Sequence, residues 1–191
     1  KPTPSIGGVG LIKNYKKTMS MGLKKEGNLI LVIGKTEGHL EQTIFAREVL
    51  SEKKGPPPEI NLFNEKNNGL TILKLIKDNL IDSCHDISLG GILVAASKMC
   101  IKSNKGIKIN NLKNLINKFE YFFSEDQGRY LVEINKDNFK KVEKVFLDNS
   151  VHFDELGVVN NDKFLFSDEI NLSIEDLIKA YKNWLKKYMV N

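Results

Sequence analysis

The chain has 191 residues and a formal net charge of +5, with 41% hydrophobic and 28% charged residues, as in ordinary soluble globular proteins. No apolar run approaches the roughly 20 residues that a membrane helix needs, and no signal-peptide pattern opens the sequence. These features argue against a membrane protein and predict one soluble domain over residues 1–191.

The small numbers of cysteines and arginines restrict the cellular compartment and the kind of partner. Cys84 and Cys100 are too few for a disulfide framework, so we expect a reducing, cytoplasmic compartment. The positive charge comes from scattered lysines, and only Arg47 and Arg129 are arginines. Because base readout and bidentate phosphate clamps depend on the planar guanidinium group, we expect no nucleic-acid partner.

Residues 5–12 are rich in glycine and are predicted to be extended. Residues 13–27 are polar and rich in lysine, so we expect them to form a segment on the surface. The apolar run 29–33 predicts a central strand that is buried on both faces. Residues 40–51 have helical spacing, before Gly55 and three prolines break the chain.

A second helix is predicted over residues 69–80. Its apolar stripe consists of Leu70, Leu73, Ile76 and Leu80. A short strand at 81–87 then leads through two glycines into a helix at 92–102. Because that helix is apolar on nearly every side, we expect it to be deeply buried.

The remainder alternates again between strands and helices. A strand at 129–134, with Tyr130, Val132 and Ile134 on one face, precedes a helix and two short strands near 151–159 and 163–166. The residues that mark the helix are Phe139, Val142, Val145 and Phe146. Ser173 and Asp176 form a capping-box pattern at the start of the closing helix. The buried stripe predicted for that helix is Ile174, Leu177, Ile178, Tyr181, Leu185 and Tyr188.

Several strands lie too close in sequence for a pure series of parallel crossover units. The predicted fold class is therefore α+β (α/β-like), a mixed β-sheet flanked by helices in three layers.

Three stretches are richer in glycine and polar residues than a core requires. The first contains Gly7, Gly8 and Gly10, which would let backbone N–H groups approach an anion. It lacks the Lys-Ser/Thr ending of a P-loop and the spacing of a dinucleotide fingerprint. A strand that crosses close to a neighbouring backbone is the favoured alternative.

The second stretch, residues 84–91, joins a strand end to a helix start, a common ligand site in α/β folds. His85 and Asp86 could hold a metal or serve in acid–base chemistry. The turn residues that could contact a ligand are Ser88, Gly90 and Gly91. Adjacent strand residues point to opposite faces, so His85 and Asp86 are not expected to pair, and a structural role for His85 is favoured.

The third stretch, residues 123–129, precedes a strand. Its candidate ligand-binding residues are Ser124, Glu125, Gln127 and Arg129. They could bind a polar ligand, although a salt-bridged turn is slightly favoured. The sequence has no Gly-x-Ser-x-Gly elbow, no His-Glu-x-x-His helix and no convincing zinc spacing. We therefore predict no catalytic residue and no metal site in this chain.

Four motifs follow one another in the chain. They are Pro-Thr-Pro-x-Ile-Gly-Gly-Val-Gly-Leu-Ile from Pro2, Gly-His-Leu-Glu-Gln-Thr from Gly38, His-Asp-Ile-Ser-x-Gly-Gly-Ile-Leu-Val-Ala from His85, and Phe-Ser-Glu-Asp-Gln-Gly-Arg-Tyr-Leu-Val-Glu-Ile from Phe123. Together they resemble the final domain of the small bacterial type of phosphoribosylformylglycinamidine synthase, from Pro2 to about Val159.

This resemblance implies a fold like the C-terminal domain of aminoimidazole ribonucleotide synthase and a role in purine biosynthesis. The family's full enzyme phosphorylates the amide oxygen of formylglycinamide ribonucleotide with ATP and magnesium, and ammonia then displaces the phosphate. The family's catalytic histidine and its nucleotide and magnesium ligands lie in ATP-site domains, so no cofactor is expected here. The opening at Lys1 reads like the interior of that longer polypeptide.

The resemblance also implies three partners: an ATP-site domain of the same polypeptide, a glutaminase subunit and a small bridging subunit. In the enzyme's first half, the counterpart of residues 124–127 contacts the substrate. This chain resembles the second half, whose cleft serves structure. Leu89 stands where the family usually has Asp, and Glu41 where it usually has Gly, and both departures fit a cleft that no longer binds substrate.

We therefore expect a structural, non-catalytic module of a ligase. One alternative is a cleft that binds nucleotide or substrate and contributes to catalysis. Others are a domain of a related enzyme such as aminoimidazole ribonucleotide synthase, or a stand-alone protein-binding module.

Overall fold

The computed structural model describes residues 4–110, 117–161, 163–166 and 170–190. Within these residues, the strands are β1 (Leu29–Ile33), β2 (Ser83–Asp86), β3 (Gly106–Ile109), β4 (Tyr130–Ile134), β5 (Phe153–Asn160), β6 (Lys163–Phe166) and β7 (Ile170–Ser173). The α-helices are α1 (Ile44–Glu48), α2 (Leu62–Lys77), α3 (Gly91–Ser103), α4 (Lys118–Phe123), α5 (Phe139–Asp148) and α6 (Ile174–Val190). Short 3₁₀ turns lie at Tyr15–Lys17 and Lys136–Asn138. No helix in these ranges is both long enough and apolar enough to cross a membrane.

The described strands form one sheet in the order β2-β4-β1-β5-β3-β6-β7. Neighbouring strands are antiparallel, apart from the parallel pair β3 and β6. The predicted mixed sheet is thus confirmed. Three of these elements, β3, β7 and α4, were not predicted from the sequence.

Helices cover both faces of the sheet. All five residues of β1 are buried, and they alternate between two cores. Ile30 and Val32 pack in a cluster with residues of α3 and α4, whereas Leu29, Leu31 and Ile33 pack with residues of α2 and α5. The predicted central strand and the three-layer arrangement are therefore confirmed.

Helix α2 differs from its predicted form. It begins at Leu62, and its buried residues are Asn68, Thr71, Ile72 and Leu75. Leu70 and Leu73 of the predicted stripe are 55% and 51% exposed. The predicted stripe is confirmed only in part, because Ile76 and Leu80 do pack against the core. The helix also contacts a polar loop, where Asn68 Nδ2 donates to the Gly128 carbonyl at 2.9 Å.

Helix α6 confirms its predicted cap but not its whole buried stripe. Ser173 Oγ accepts from the Asp176 backbone N–H at 3.1 Å, and Ile174 is buried. Leu177 packs against the core that includes α3. The later stripe residues Tyr181, Leu185 and Tyr188 are 59%, 52% and 71% exposed. The helix therefore packs through its first turns, and its second half extends past the core.

The N-terminal segment also departs from expectation. Residues 5–12 are exposed and form no strand, and a Cβ at Gly7, Gly8 or Gly10 would meet nothing within 4 Å. Among the described residues, this segment therefore makes no close strand crossing of the expected kind. The segment 13–27 is not entirely on the surface, because Leu23 is buried in the core.

One buried carboxylate holds the segment 20–28 against the sheet. Glu133, in β4, is fully buried. It accepts hydrogen bonds of 2.8 to 3.1 Å from the backbone N–H groups of Lys24 and Lys25, the Asn28 amide and the Ser83 hydroxyl. A buried charge needs such a set of donors, so Glu133 is a structural residue.

We expect Glu133→Gln to lower the free energy of unfolding by about 3 kcal/mol, because the amide nitrogen would face donors that then lose their acceptor. Urea unfolding followed by circular dichroism measures the change. Glu143→Gln, the same substitution at a partly exposed residue of α5, should stay within about 0.5 kcal/mol of the parent. Equal unfolding midpoints for the two variants would contradict this role of Glu133.

Candidate functional site

The candidate stretches meet at one end of the sheet. Strands β1 and β2 end there, and β4 begins there because it runs antiparallel to both. The loop 34–43, the turn 87–91 and the segment 123–129 are thereby brought together. Of the sequence-predicted groups, only the glycines of residues 7–10 lie outside this meeting point, as exposed residues without close neighbours.

Arg129 is the buried centre of this end of the sheet. It is 2% exposed, and its Nη2 donates to the Ser124 carbonyl at 2.7 Å. Its Nε donates to the Asp126 carbonyl at 3.2 Å, and Nη1 donates to Thr36 Oγ1 at 3.0 Å. Burial lowers the pKa of the guanidinium, and the Asp126 carboxylate, 3.9 Å away, opposes that shift. Arg129 therefore fastens the loops and is closed to a ligand.

Asp126 holds the loop that follows β1. Its side chain is almost fully buried, and its Oδ2 accepts from the N–H groups of Glu37 and Gly38, both at 3.0 Å. Its Oδ1 accepts from the N–H of His39 at 3.2 Å. A carboxylate with three backbone donors is satisfied, and it fixes the path of residues 37–39.

Glu125 joins two helix starts. Its Oε1 accepts from the N–H groups of Ile44 and Gly90, each at 2.8 Å. The turn beside it requires glycine, because Gly91 has a φ of 70° and a Cβ there would lie 2.5 Å from the Phe122 carbonyl oxygen. The contact of residues 88–91 with 122–125 is therefore a tight backbone junction.

His85 and Asp86 do interact, contrary to expectation. His85 Nδ1 lies 3.0 Å from Asp86 Oδ1, and since a carboxylate can only accept, the ring nitrogen donates. The side chains can turn toward each other because they stand at the end of an edge strand. Burial lowers the pKa of His85, and Asp86 opposes that shift. His85 Nε2 and Ser124 Oγ are buried without a hydrogen-bond partner within the described residues.

A cavity of about 530 Å³ opens beside these loops. It is lined by Lys35, Glu37, Gly38, His39, Glu59, Asn61, Asn64, Glu65, Asn68, Asp126 and Gln127. Of the sequence-predicted ligand residues, only Gln127 lines it. The other candidates are not part of its lining, although Gln127 Nε2 donates to the Glu125 carbonyl at 3.2 Å; they are His85, Asp86, Ser88, Gly90, Gly91, Ser124, Glu125 and Arg129.

Most residues of the cavity wall were not predicted from the sequence. Asn61, Asn64, Glu65 and Asn68 are spaced three, one and three residues apart, so they lie on one face at the start of α2. This polar helical stripe was visible in the sequence. It was overlooked because the helix was predicted to begin later, at residue 69.

The lining of the cavity does not fit a nucleoside triphosphate. Glu37, Glu59, Glu65 and Asp126 are acidic, and Lys35, the one lysine of the lining, lies 2.8 Å from Glu37 Oε1. Phosphate groups would meet more negative than positive charge there. Within the described ranges, no group of three or more His, Cys, Asp or Glu residues is placed to hold a metal ion.

The two departures from the family pattern have different surroundings. Glu41 packs over Gly55, where a Cβ would come within 2.7 Å of Glu41 Cβ. A glycine at residue 55 thus makes room for the larger residue at 41. Leu89 is 63% exposed at the turn before α3, and no contact in the described chain explains its apolar side chain.

We expect Arg129→Lys to lower the free energy of unfolding by about 3 kcal/mol, because a lysine cannot reproduce the forked set of hydrogen bonds. Arg47→Lys is the matched control: Arg47 is 50% exposed and pairs with Glu48, so its change should cost less than about 1 kcal/mol. Chemical denaturation measures both. Similar losses for the two variants would contradict the central role of Arg129.

The lowered pKa of His85 predicts that the free energy of unfolding depends on pH. The unfolded chain takes up the proton first, near the ordinary value of 6.5, so the stability that neutral His85 provides is lost as the pH falls below that value. His85→Gln keeps a donor for Asp86 and should reduce the loss of stability between about pH 7 and about pH 5. Identical pH profiles for parent and His85→Gln would disprove the assignment.

Comparisons with known proteins agree with this architecture. Residues 25–167 match the family profile described as AIR synthase related protein, C-terminal domain. The chain is 61% identical over 191 residues to the phosphoribosylformylglycinamidine synthase subunit PurL of Pelagibacter ubique, covering 100% of the chain and 26% of that protein. It is 37% identical over 190 residues to PurL of Bartonella bacilliformis, with the same coverage. The chain spans about a quarter of the length of these curated relatives.

Solved structures share the fold at lower identity. T. maritima PurL complexed with FGAR matches with a TM-score of 0.69 and 17% identity, over 86% of this chain and 30% of that one. E. coli HypE matches with a TM-score of 0.55 and 14% identity, over 81% and 51% of the two chains. Because residues 25–167 match this profile and the fold agrees, the chain belongs to the AIR synthase related protein family and contains the C-terminal domain of that family.

Proposed function

We propose that the chain is the C-terminal domain of a phosphoribosylformylglycinamidine synthase and that it acts in purine biosynthesis as one unit, residues 1–191, of that longer enzyme. The observation that carries this proposal is the 61% identity to PurL of Pelagibacter ubique over all 191 residues. Fold similarity alone would not select this enzyme, because HypE shares the fold at 14% identity. The alternative of aminoimidazole ribonucleotide synthase is therefore not favoured.

In this proposal the whole enzyme is an ATP-dependent carbon–nitrogen ligase that works in the cytoplasm. It converts formylglycinamide ribonucleotide to the amidine with glutamine-derived ammonia and uses ATP and magnesium. T. maritima PurL structures complexed with FGAR, ATP and ADP support this choice of substrate and nucleotide. The T. maritima PurLQS structure supports assembly with further subunits, which we propose to be the glutaminase and the small bridging subunit.

Within that enzyme we propose a structural role for this chain. Glu125 and Asp126 already accept hydrogen bonds from backbone N–H groups of neighbouring loops, and Arg129 donates to backbone carbonyl groups of its own segment. A substrate would have to displace these internal hydrogen bonds to reach the three side chains. Amide phosphorylation also needs a positioned nucleotide, metal and base, which this proposal assigns to the ATP-site domains. The glycine segment 7–10 and the turn 88–91, with exposed Leu89, would face the neighbouring ATP-site domain.

Substitutions in the full-length synthase test the structural role. Gln127→Ala should change kcat/KM by less than about threefold, because the exposed amide only donates to the Glu125 carbonyl, at 3.2 Å. Glu125→Ala should lower the melting temperature with a similarly small kinetic effect, since it removes the acceptor for the N–H groups of Ile44 and Gly90.

The opposite pattern would support a substrate-binding cleft. A loss in kcat/KM of about a hundredfold in either variant, with an unchanged melting temperature, corresponds to the loss of a transition-state contact. That result would overturn the structural role and leave the family membership untouched.

A further inference from the structure

Helix α6 carries one apolar stripe whose surroundings change halfway along the helix. At the start of the stripe, Ile174 is buried and Leu177 packs against the core that includes α3. The stripe continues through Tyr181, Leu185 and Tyr188, which are 59%, 52% and 71% exposed. Because these positions recur every three or four residues, they lie on one face of the helix. The second half of the stripe is therefore open to solvent.

The open half of the stripe is mainly aromatic. Trp184, the only tryptophan of the chain, is 60% exposed, and its ring centroid lies 6.1 Å from that of Tyr188. An aromatic side chain has about 200 Å² to bury, so Tyr181, Trp184 and Tyr188 together leave roughly 400 Å² accessible. Met189, which is 74% exposed, extends this patch. Monomeric soluble proteins rarely expose larger apolar patches, so the stripe indicates an interaction surface.

Helix α6 lies outside the part of the chain that the wider family shares. The family profile matches residues 25–167 and ends before the helix. The similarity to PurL of Pelagibacter ubique, in contrast, extends over all 191 residues and so includes α6. This chain covers only 26% of that relative, so most of a comparable polypeptide lies outside the structure. The helix thus accompanies the longer synthase sequence, which points to a partner within it.

The size of the patch also favours a partner within the same polypeptide. A stable interface between separate proteins buries about 800 Å² on each side, about twice the area that the three aromatic side chains supply. Separate molecules must also give up translational and rotational freedom when they associate, whereas a linker holds two parts of one chain at a high effective concentration. A patch of this size therefore suits docking inside one polypeptide better than pairing with a second copy.

We propose that the exposed stripe of α6 is a docking surface for the remainder of the synthase polypeptide. Tyr181, Trp184 and Tyr188 would pack into an apolar groove on that remainder, and the exposed Lys182 on the polar face would stay in solvent. The inference rests on the proposed function, because it requires the chain to be one unit of a longer enzyme. It adds to that function an interface on a helix outside the shared domain.

Hydrogen–deuterium exchange of residues 181–190, measured in the 191-residue chain and in the full-length synthase, tests the docking. We expect exchange to be at least about tenfold slower in the full-length enzyme, because a docked helix end frays less often.

A substitution in the stripe provides a second readout. Trp184→Ser should lower the melting temperature of the full-length enzyme by about 5 °C and that of the 191-residue chain by less than about 1 °C, because only the full-length enzyme covers the side chain. Asn183→Ser, at an exposed residue on the opposite face of α6, is the matched control and should change either melting temperature by less than about 1 °C. Circular dichroism establishes that each variant is folded.

The docking is overturned if residues 181–190 exchange equally fast in both proteins, or if Trp184→Ser lowers both melting temperatures equally. It is also overturned if the 191-residue chain sediments as a dimer that Trp184→Ser converts to a monomer, because a second copy would then cover the stripe. The two proposals fail separately. An active full-length synthase with an unprotected α6 contradicts only the docking, whereas a full-length protein that forms no amidine product contradicts the proposed function.

Discussion

The fully buried guanidinium of Arg129 is the interaction on which the functional end of this domain depends. An arginine can be buried only if its donors are satisfied, and here they bind Ser124, Asp126 and Thr36 from two different loops. Asp126 then fixes residues 37–39 through their N–H groups. One buried cation thus sets the path of the segment before β4 and, through its neighbour, of the loop after β1.

This arrangement explains why motifs that resemble a ligand site can serve the fold. Glu125 connects the starts of α1 and α3, and the glycine at residue 91 lets the turn touch the backbone of residues 122–124. Polar groups that are committed to backbone partners contribute rigidity, and they are costly to redirect toward a ligand. The polar surface that stays available lies beside them, in the cavity at the start of α2.

Two buried charged residues lie near the two ends of strand β4. Arg129 precedes its first residue and organises the loops, whereas Glu133 lies inside it and anchors residues 20–28 across the sheet. Glu133 accepts only from groups at least 50 residues away in the chain, whereas Arg129 binds two carbonyl groups of its own segment and the distant Thr36. The domain therefore combines an ordinary three-layer hydrophobic core with polar anchors that determine where its irregular segments run.

Elements with a strong local pattern were predictable from the amino-acid sequence. Five consecutive apolar residues made β1 a central strand, the apolar run made α3 a buried helix, and Ser173 with Asp176 marked the start of α6. Motif order also identified the family. Three features became clear only from the folded chain: the buried face of α2, the pairing of His85 with Asp86, and the place of Gln127 in a cavity that neither of them lines. These outcomes depend on partners such as Asn68 with Gly128, which are 60 residues apart, and local periodicity carries no information about contacts at that separation.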